Sequence, residues 1–273
     1  MTTITHPAAS TPVPAVQDRL GPLDAVRHTL TLAWRSLVQI RHNPMELADL
    51  SLQPLMFVAL FAFVFGGAIA GSPKAFLQFG LAGIITQNAL FLTMNTGVAL
   101  NTDITKGVFD RFRSLPIARS APLGGRIVAD VARQVWSMAI LLGVGTLLGF
   151  RVQTNAAGVL GAVVLLLVFT FAFSWLPVLV AMLVDEPEKV MMLGFVVVFP
   201  LTFASSAFVP VETMPGWMQA WVAVNPATLL VDAVRGLLVG GAVAAPALGA
   251  LAWAAAIGAV AAPLALRAFR RRS

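Results

Sequence analysis

Residues 152–184 read VQTNAAGVLGAVVLLLVFTFAFSWLPVLVAMLV, a run of 33 positions with no Asp, Glu, Lys or Arg. A helix needs about 20 predominantly apolar residues to cross the hydrocarbon core of a bilayer, and helices of soluble domains typically run about 8–20 residues. This stretch therefore belongs in lipid. The rest of the 273-residue chain has the same character, with 58% hydrophobic and only 11% charged residues and a mean hydropathy of +0.86. A soluble domain carries about 25% charged residues, so a single soluble core would leave much of this apolar surface in water. Disordered, collagenous and disulfide-scaffold classes are excluded as well, since the chain is apolar, non-repetitive and free of cysteine. An all-α integral membrane protein is the class that fits.

Working outward, the uncharged windows are 50–73, 75–102, 134–150, 152–184, 190–211, 213–231 and 236–266. Six of them predict transmembrane helices at about 51–71, 78–101, 127–150, 157–184, 190–208 and 242–266. The third is extended to about Ile127, which puts Arg126, Asp130 and Arg133 on one face of its first turns, paired at headgroup level. The remaining window, 213–231, differs. It holds Pro215, Asn225 and Pro226 with Trp217 and Trp221; prolines break a continuous helix and tryptophans favour the membrane–water boundary. It reads as an interfacial or re-entrant element between spans five and six.

Charge position sets the orientation. The net charge of +6 and pI of about 11.2 would suggest nucleic acid for a soluble protein, but here the basic residues flank the spans and no nucleic-acid partner is expected. With both termini cytoplasmic, 15 of the 18 Lys and Arg fall inside, and only Lys74, Arg151 and Arg235 fall outside. Residues 1–20 lack an apolar signal-peptide core and read as a disordered cytoplasmic tail, leaving 21–273 as one transmembrane domain. Between them and span one, Leu23, Val26, Leu30, Leu37 and Val38 recur at helical spacing among Arg27, Arg35 and Arg41. This predicts an amphipathic helix lying in the inner interface, stopped near Pro44.

The chain contains little that suggests chemistry of its own. None of its three lysines ends a Walker A loop, its three histidines (His6, His28, His42) all precede the first span, and it has no Gly-x-Ser-x-Gly or His-Glu-x-x-His pattern. No catalytic residue, no metal site and no cofactor bound by this chain are expected. The centres of the six predicted spans are free of charge, unlike the midplane carboxylates of ion-coupled transporters. Energy for transport would have to arrive from outside the membrane.

One cytoplasmic segment is patterned for such a role. In residues 102–125, Ile104, Val108, Phe112 and Leu115 form an apolar stripe that Pro116 ends, with Lys106, Asp110, Arg111 and Arg113 on other faces. Such a helix fits a groove on a partner or lies on lipid headgroups, and its pattern leaves both open. The run Gly107-Val108-Phe109-Asp110-Arg111-Phe112-Arg113-Ser114-Leu115-Pro116-Ile117-Ala118-Arg119 resembles the first cytoplasmic loop of type-2 ABC exporter permeases, and among them the daunorubicin-resistance-type drug efflux permeases of actinomycetes. Phe208-Val209-Pro210, Met214-Pro215, Trp217, Asn225-Pro226, Asp232 and Arg235 match that family's pattern between spans five and six. Arg41, Asn43-Pro44 and Gln53-Pro54-Leu55 resemble the approach to its first span.

The resemblance covers about residues 22–266. It implies a six-helix half-transporter that pairs with a second permease subunit, homo- or heterodimeric, and with nucleotide-binding ATPase subunits that hold ATP and Mg. It further implies that Phe109, Asp110, Arg111, Phe112 and Arg113 couple to the ATPase at the cytoplasmic membrane of a bacterium; substrate class does not carry over with it, and export of hydrophobic or amphiphilic compounds, drugs or antibiotics among them, is the first reading. Lipid, glycolipid or polysaccharide export by the same architecture and a non-transporting membrane scaffold are the rival readings.

Three further features are weighed on residues alone. Asp232 and Arg235, three apart on one helical face, are expected to brace the outer element (Pro210 to Arg235) against each other. Asn88 and Asn95, seven apart on span two, share a face that either lines a pathway or dimer interface or bonds to neighbouring helices. Phe169, Phe171, Phe173 and Trp175 could receive an aromatic compound, although packed or lipid-facing rings are commoner. Gly67–Gly71, Gly145–Gly149 and Gly236–Gly240 fit close helix packing, a pattern that also arises by chance among 22 glycines.

Overall fold

The computed structural model describes residues 44–107 and 121–272, and among them it is predominantly helical, with no strand. Pro44–Ala59 (α1) runs without interruption into a π-helical segment, Leu60–Phe65, and then Gly66–Ala70 (α2). The chain reverses at once. Gly71 caps α2 in the left-handed region (φ 76°), Ser72 accepts from the Ala75 amide at 3.2 Å, and Pro73 takes the first position of Pro73–Thr105 (α3). Each residue suits its place, since glycine tolerates positive φ and proline lacks only an N–H that a first turn leaves unpaired.

Helix α3 is 33 residues long and forms the centre of the bundle. Of its most apolar window 67% is buried, against 17–33% for the other four helices long and apolar enough to cross a membrane. Where lipid is as apolar as leucine, association depends on close van der Waals packing, and α3 uses glycine for it. A Cβ on Gly83 would collide with the Ala207 carbonyl, and one on Gly97 would lie 2.6 Å from the Pro177 carbonyl oxygen. These are not members of the glycine pairs picked from sequence, of which Gly67 faces open space.

The remaining helices are Ala121–Leu148 (α4), Ala156–Phe173 (α5), Trp175–Leu183 (α6), Pro187–Phe203 (α7), Gly216–Val224 (α8), Pro226–Val239 (α9) and Ala244–Arg272 (α10), with a 3-10 turn at Val211–Thr213. The expected fourth span is present as one 28-residue stretch, Ala156–Leu183, made of α5 and α6 with a single turn residue, Ser174, between them. Pro177 withholds the amide that would have bonded to the Phe173 carbonyl. Several other helices run past their expected bounds at one end or both, while α10 starts at Ala244, inside the expected 242–266. The first helix starts at Pro44, where an earlier helix was expected to stop, and α3 extends at both ends beyond 78–101.

Five helical stretches among the described residues are long and apolar enough to cross a membrane: Ser51–Ala70, Pro73–Thr105, Ala129–Leu148, Ala156–Leu183 and Ala244–Ala268. The expected fifth span, 190–208, corresponds to the 17-residue α7, which is continued by irregular chain from Ala204. The window singled out as interfacial or re-entrant is a pair of helices, α8 and α9, bent by 74°. The tail 1–20, the amphipathic stretch 22–43 and the patterned loop residues Phe109 to Arg113 lie outside the described residues.

Candidate functional site

Where α8 meets α9, one side chain organises the bend. Asn225 is 1% exposed. Its Nδ2 donates to the carbonyls of Leu201 and Ala204, both at 2.8 Å, and its Oδ1 accepts from the Ala227 amide at 2.8 Å. It caps α9 and ties the bend to the end of α7, and Pro226 then fills the first helical position. The tryptophans around the bend act as polar tips on apolar bodies: Trp221 Nε1 donates to the Ala204 carbonyl and Trp253 Nε1 to that of Val224, each at 3.1 Å. Trp217 is exposed. Pro210 leads into the 3-10 turn and Pro215 precedes α8.

About two turns further on, Asp232 and Arg235 form an ion pair at 2.7 Å. The pair belongs to a larger network. Ser206 Oγ donates to Asp232 at 2.7 Å, while Arg235 donates through Nε to the Phe79 carbonyl at 3.0 Å and through a terminal nitrogen to the Ser206 carbonyl at 2.7 Å. The guanidinium carbon also lies 4.2 Å from the centre of the Phe79 ring, a cation–π distance. The planar fork of arginine thus joins α9, α3 and the chain after α7, a geometry that lysine could not reproduce.

Beside this brace, α1, α3 and α7 enclose a pocket of about 190 Å³. Phe57, Phe91, Phe195, Phe199 and Phe203 form its apolar wall, and Gln53, Gln87 and Asn88 supply its polar groups. The rings are linked. Phe195, Phe199 and Phe203 stack in sequence along α7, with centroids 5.0 and 4.3 Å apart, Phe203 meets Phe208 at 5.3 Å, and Phe208 meets Phe61 of the π-helical segment at 4.4 Å. Gln87 is 4% exposed and its Nε2 has no hydrogen-bond partner. An unpaired buried donor is costly, by about 1–3 kcal/mol. Asn88 accepts from Ser137 Oγ of α4 at 2.7 Å.

Asn95 lies elsewhere. It is exposed and borders a second, polar pocket with Asp130 and Arg133, so the two asparagines share a helical face and serve different cavities. Asp130 and Arg133 pair at 2.9 Å. The rings picked from sequence are not a receptor: Phe169 and Phe173 are buried and stacked on each other at 6.1 Å, while Phe171 points outward. The pocket rings went unremarked, although Phe195, Phe199 and Phe203 recur every four residues, as do Phe57, Phe61 and Phe65.

At the end of α3 nearest the patterned loop, Asn101 is fully buried, and its Nδ2 donates to the carbonyls of Ala181 and Val184 at 3.0 and 2.8 Å. Around it Leu100, Ala181, Met182 and Val190 form a small core separate from the main one. Just beyond, Lys189 bonds Glu186 at 2.7 Å, and that hydrogen bond with the carboxylate charge holds its ammonium above the usual lysine value.

A helical bundle with several stretches long and apolar enough to cross a membrane, and a bent helix pair, is the architecture of an integral membrane protein. The chain belongs to the ABC-2 type transporter family, whose sequence model matches residues 27–239. It is 43% identical over 256 residues to the daunorubicin resistance ABC transporter permease protein DrrB1 of Streptomyces coeruleorubidus, covering 94% of this chain and 90% of that one. It is 28% identical over 251 residues to the probable doxorubicin resistance ABC transporter permease protein DrrC of Mycobacterium tuberculosis, covering 91% and 90%. It is also 25% identical over 215 residues to the putative transport permease ycf38 of Cyanophora paradoxa, covering 77% and 73%.

Proposed function

We propose that this chain is the membrane subunit of an ATP-driven exporter that moves hydrophobic or amphiphilic compounds, drugs among them, out of a bacterial cell. The observation that carries this reading is the ring-lined pocket of α1, α3 and α7, in a chain 43% identical to a permease named for daunorubicin resistance. Flat apolar molecules stack on phenylalanine faces, and the Gln87 and Asn88 amides at one wall would orient a polar substituent. The pocket's 190 Å³ would hold part of a drug-sized molecule, for which sites of about 300–1,000 Å³ are usual; the rest would come from a second permease subunit or from helix movement.

In this reading α7 and the chain after it make a sixth span, both termini are cytoplasmic, and the α8–α9 pair is re-entrant from the outer face. ATP and Mg are held by a separate nucleotide-binding ATPase. The loop carrying Phe109, Asp110, Arg111, Phe112 and Arg113 docks on that ATPase, and Asn101 relays its movement to the end of α6. Aromatic and arginine side chains dominate interface energies, at about 2 kcal/mol or more for each hot spot. Combined alanine substitution at Phe109, Arg111 and Phe112 should therefore release the ATPase on co-purification while expression and membrane insertion stay normal. Unchanged co-purification and unchanged export would remove the loop from the mechanism.

A further inference from the structure

The polar pocket between α3, α4 and α5 is separate from the ring-lined one and has a different chemistry. It measures about 70 Å³ and is bordered by Asn95, Thr96, Asp130, Arg133, Gln134 and Ser174. Gln134 is 8% exposed; its Nε2 donates to the Ala89 carbonyl at 3.1 Å, but its Oε1 has no donor. Asp130 accepts from Thr96 Oγ1 at 3.0 Å and from Arg133. A carboxylate beside an unpaired amide oxygen is a site short of hydrogen-bond donors.

Its depth follows from helix lengths. The opposite ends of the three helices meet, since Gln78 of α3 bonds through both amide atoms to the Arg151 backbone in the α4–α5 turn, at 2.6 and 3.1 Å. Counted from Pro73, Leu148 and Ala156 at that end, Thr96, Asp130 and Ser174 lie 23, 18 and 18 residues along. At about 1.5 Å per residue that is about 35, 27 and 27 Å, the far boundary of a hydrocarbon core about 30 Å thick. Toward the bilayer centre from the pocket, Val131 and Val135 of α4 and Val164, Val168 and Phe171 of α5 are exposed, an apolar track for acyl chains.

We infer that this pocket binds the headgroup of an aminophospholipid, phosphatidylethanolamine, from the leaflet at that boundary, which is the inner one in the orientation proposed above. The primary ammonium donates to Asp130 and to Gln134 Oε1, the Arg133 guanidinium faces the phosphate, and the acyl chains lie along the valine track. Three N–H donors on a compact head match the acceptors. A choline head has none and is bulkier. The same ammonium chemistry could come from an exported amine, which the track of exposed apolar side chains does not require.

Native mass spectrometry on the purified full chain, washed free of lipid, tests the assignment. It would count bound dioleoyl-phosphatidylethanolamine, its mono- and dimethylated forms, and dioleoyl-phosphatidylcholine, with dodecylamine as a single-chain amine. The expected result is retention falling at each methylation, to about tenfold or more below the parent for choline, the worth of one charge-assisted hydrogen bond. Asp130→Asn should abolish that selectivity, and Gln134→Leu should lessen it. Equal retention of the ethanolamine and choline lipids by the unaltered chain would overturn the proposal and leave a water-filled pocket. Retention of dodecylamine without retention of the ethanolamine lipid would overturn it in favour of an exported amine. Should a variant fail to insert, the methylation series on the unaltered chain decides alone.

Discussion

The bend between α8 and α9 and the ring-lined pocket both adjoin the C-terminal end of α7, and they handle buried polarity in opposite ways. At the bend, Asn225, Asp232, Ser206 and Arg235 all find partners, and the side-chain amide of Asn225 makes three bonds. In the pocket wall, Gln87 Nε2 is left without one, as is Thr86 Oγ1 on the preceding residue. A saturated network has one arrangement and holds its elements rigidly, whereas an unsaturated wall keeps a group available for something that arrives. The comparison separates a brace from a receiving surface within one helical bundle.

The largest effect should come from cutting the brace at its hub. Arg235→Leu leaves Asp232 uncompensated and removes donors from two carbonyls, and breaking a buried pair costs about 3–5 kcal/mol. Because the two side chains are 19% and 36% exposed, the lower end of that range is expected, read as a loss of thermal stability in detergent together with lost export. Arg235→Lys should rescue little, since an ammonium cannot span both carbonyls. A stability equal to that of the unaltered chain would show that the network does not brace the bend.

Asn225→Ala comes next. It removes a helix cap and two further bonds, which should cost about 1–2 kcal/mol, measured as a lower midpoint of unfolding. Replacing Pro226 instead should cost less, because the break is held by the side chain of Asn225 as well as by the ring.

On the pocket side the order of effects reverses. Phe199 is 40% exposed, so Phe199→Ala should change stability by less than about 1 kcal/mol while lowering export of an aromatic compound severalfold. If stability falls and export does not, the rings are packing and nothing more. Gln87→Met should have the smallest effect on stability, neutral or slightly stabilising, because it removes an unpaired donor at nearly constant volume. Its signature is a change in which compounds stimulate ATP hydrolysis, and loss of stability comparable to that of Asn225→Ala would contradict this.

What could be read from the sequence was local, and what could not was assembled across it. The three-residue spacing of Asp232 and Arg235, and the Asn225-Pro226 break, are visible in a short window and reappear as an ion pair and a 74° bend. Ser206 and the Phe79 carbonyl, 29 and 156 residues from Arg235, leave no trace in such a window. Phe195, Phe199 and Phe203 of α7 repeat every four residues, but only the fold brings Phe57 of α1 and Phe91 of α3 to the same pocket. The glycine pairs were only partly informative: Gly145 packs on Leu81 of α3 and Gly236 on the Ala242 carbonyl, Gly67, Gly71 and Gly240 meet open space, and the closest backbone contacts of α3 are made by the single glycines Gly83 and Gly97 against Ala207 and Pro177. The fourth span was legible as one apolar run, and the turn within it at Ser174 has its cause in the sequence as well, the proline three residues on.

The central claim, that this permease exports amphiphilic compounds on energy delivered by a separate ATPase, is tested most directly by transport into inside-out vesicles holding the chain and its ATPase. The account predicts ATP-dependent accumulation of daunorubicin that is lost on alanine substitution of Phe109, Arg111 and Phe112 and reduced by Phe199→Ala. Accumulation that persists without the ATPase, or that is indifferent to both sets of substitutions, would contradict it.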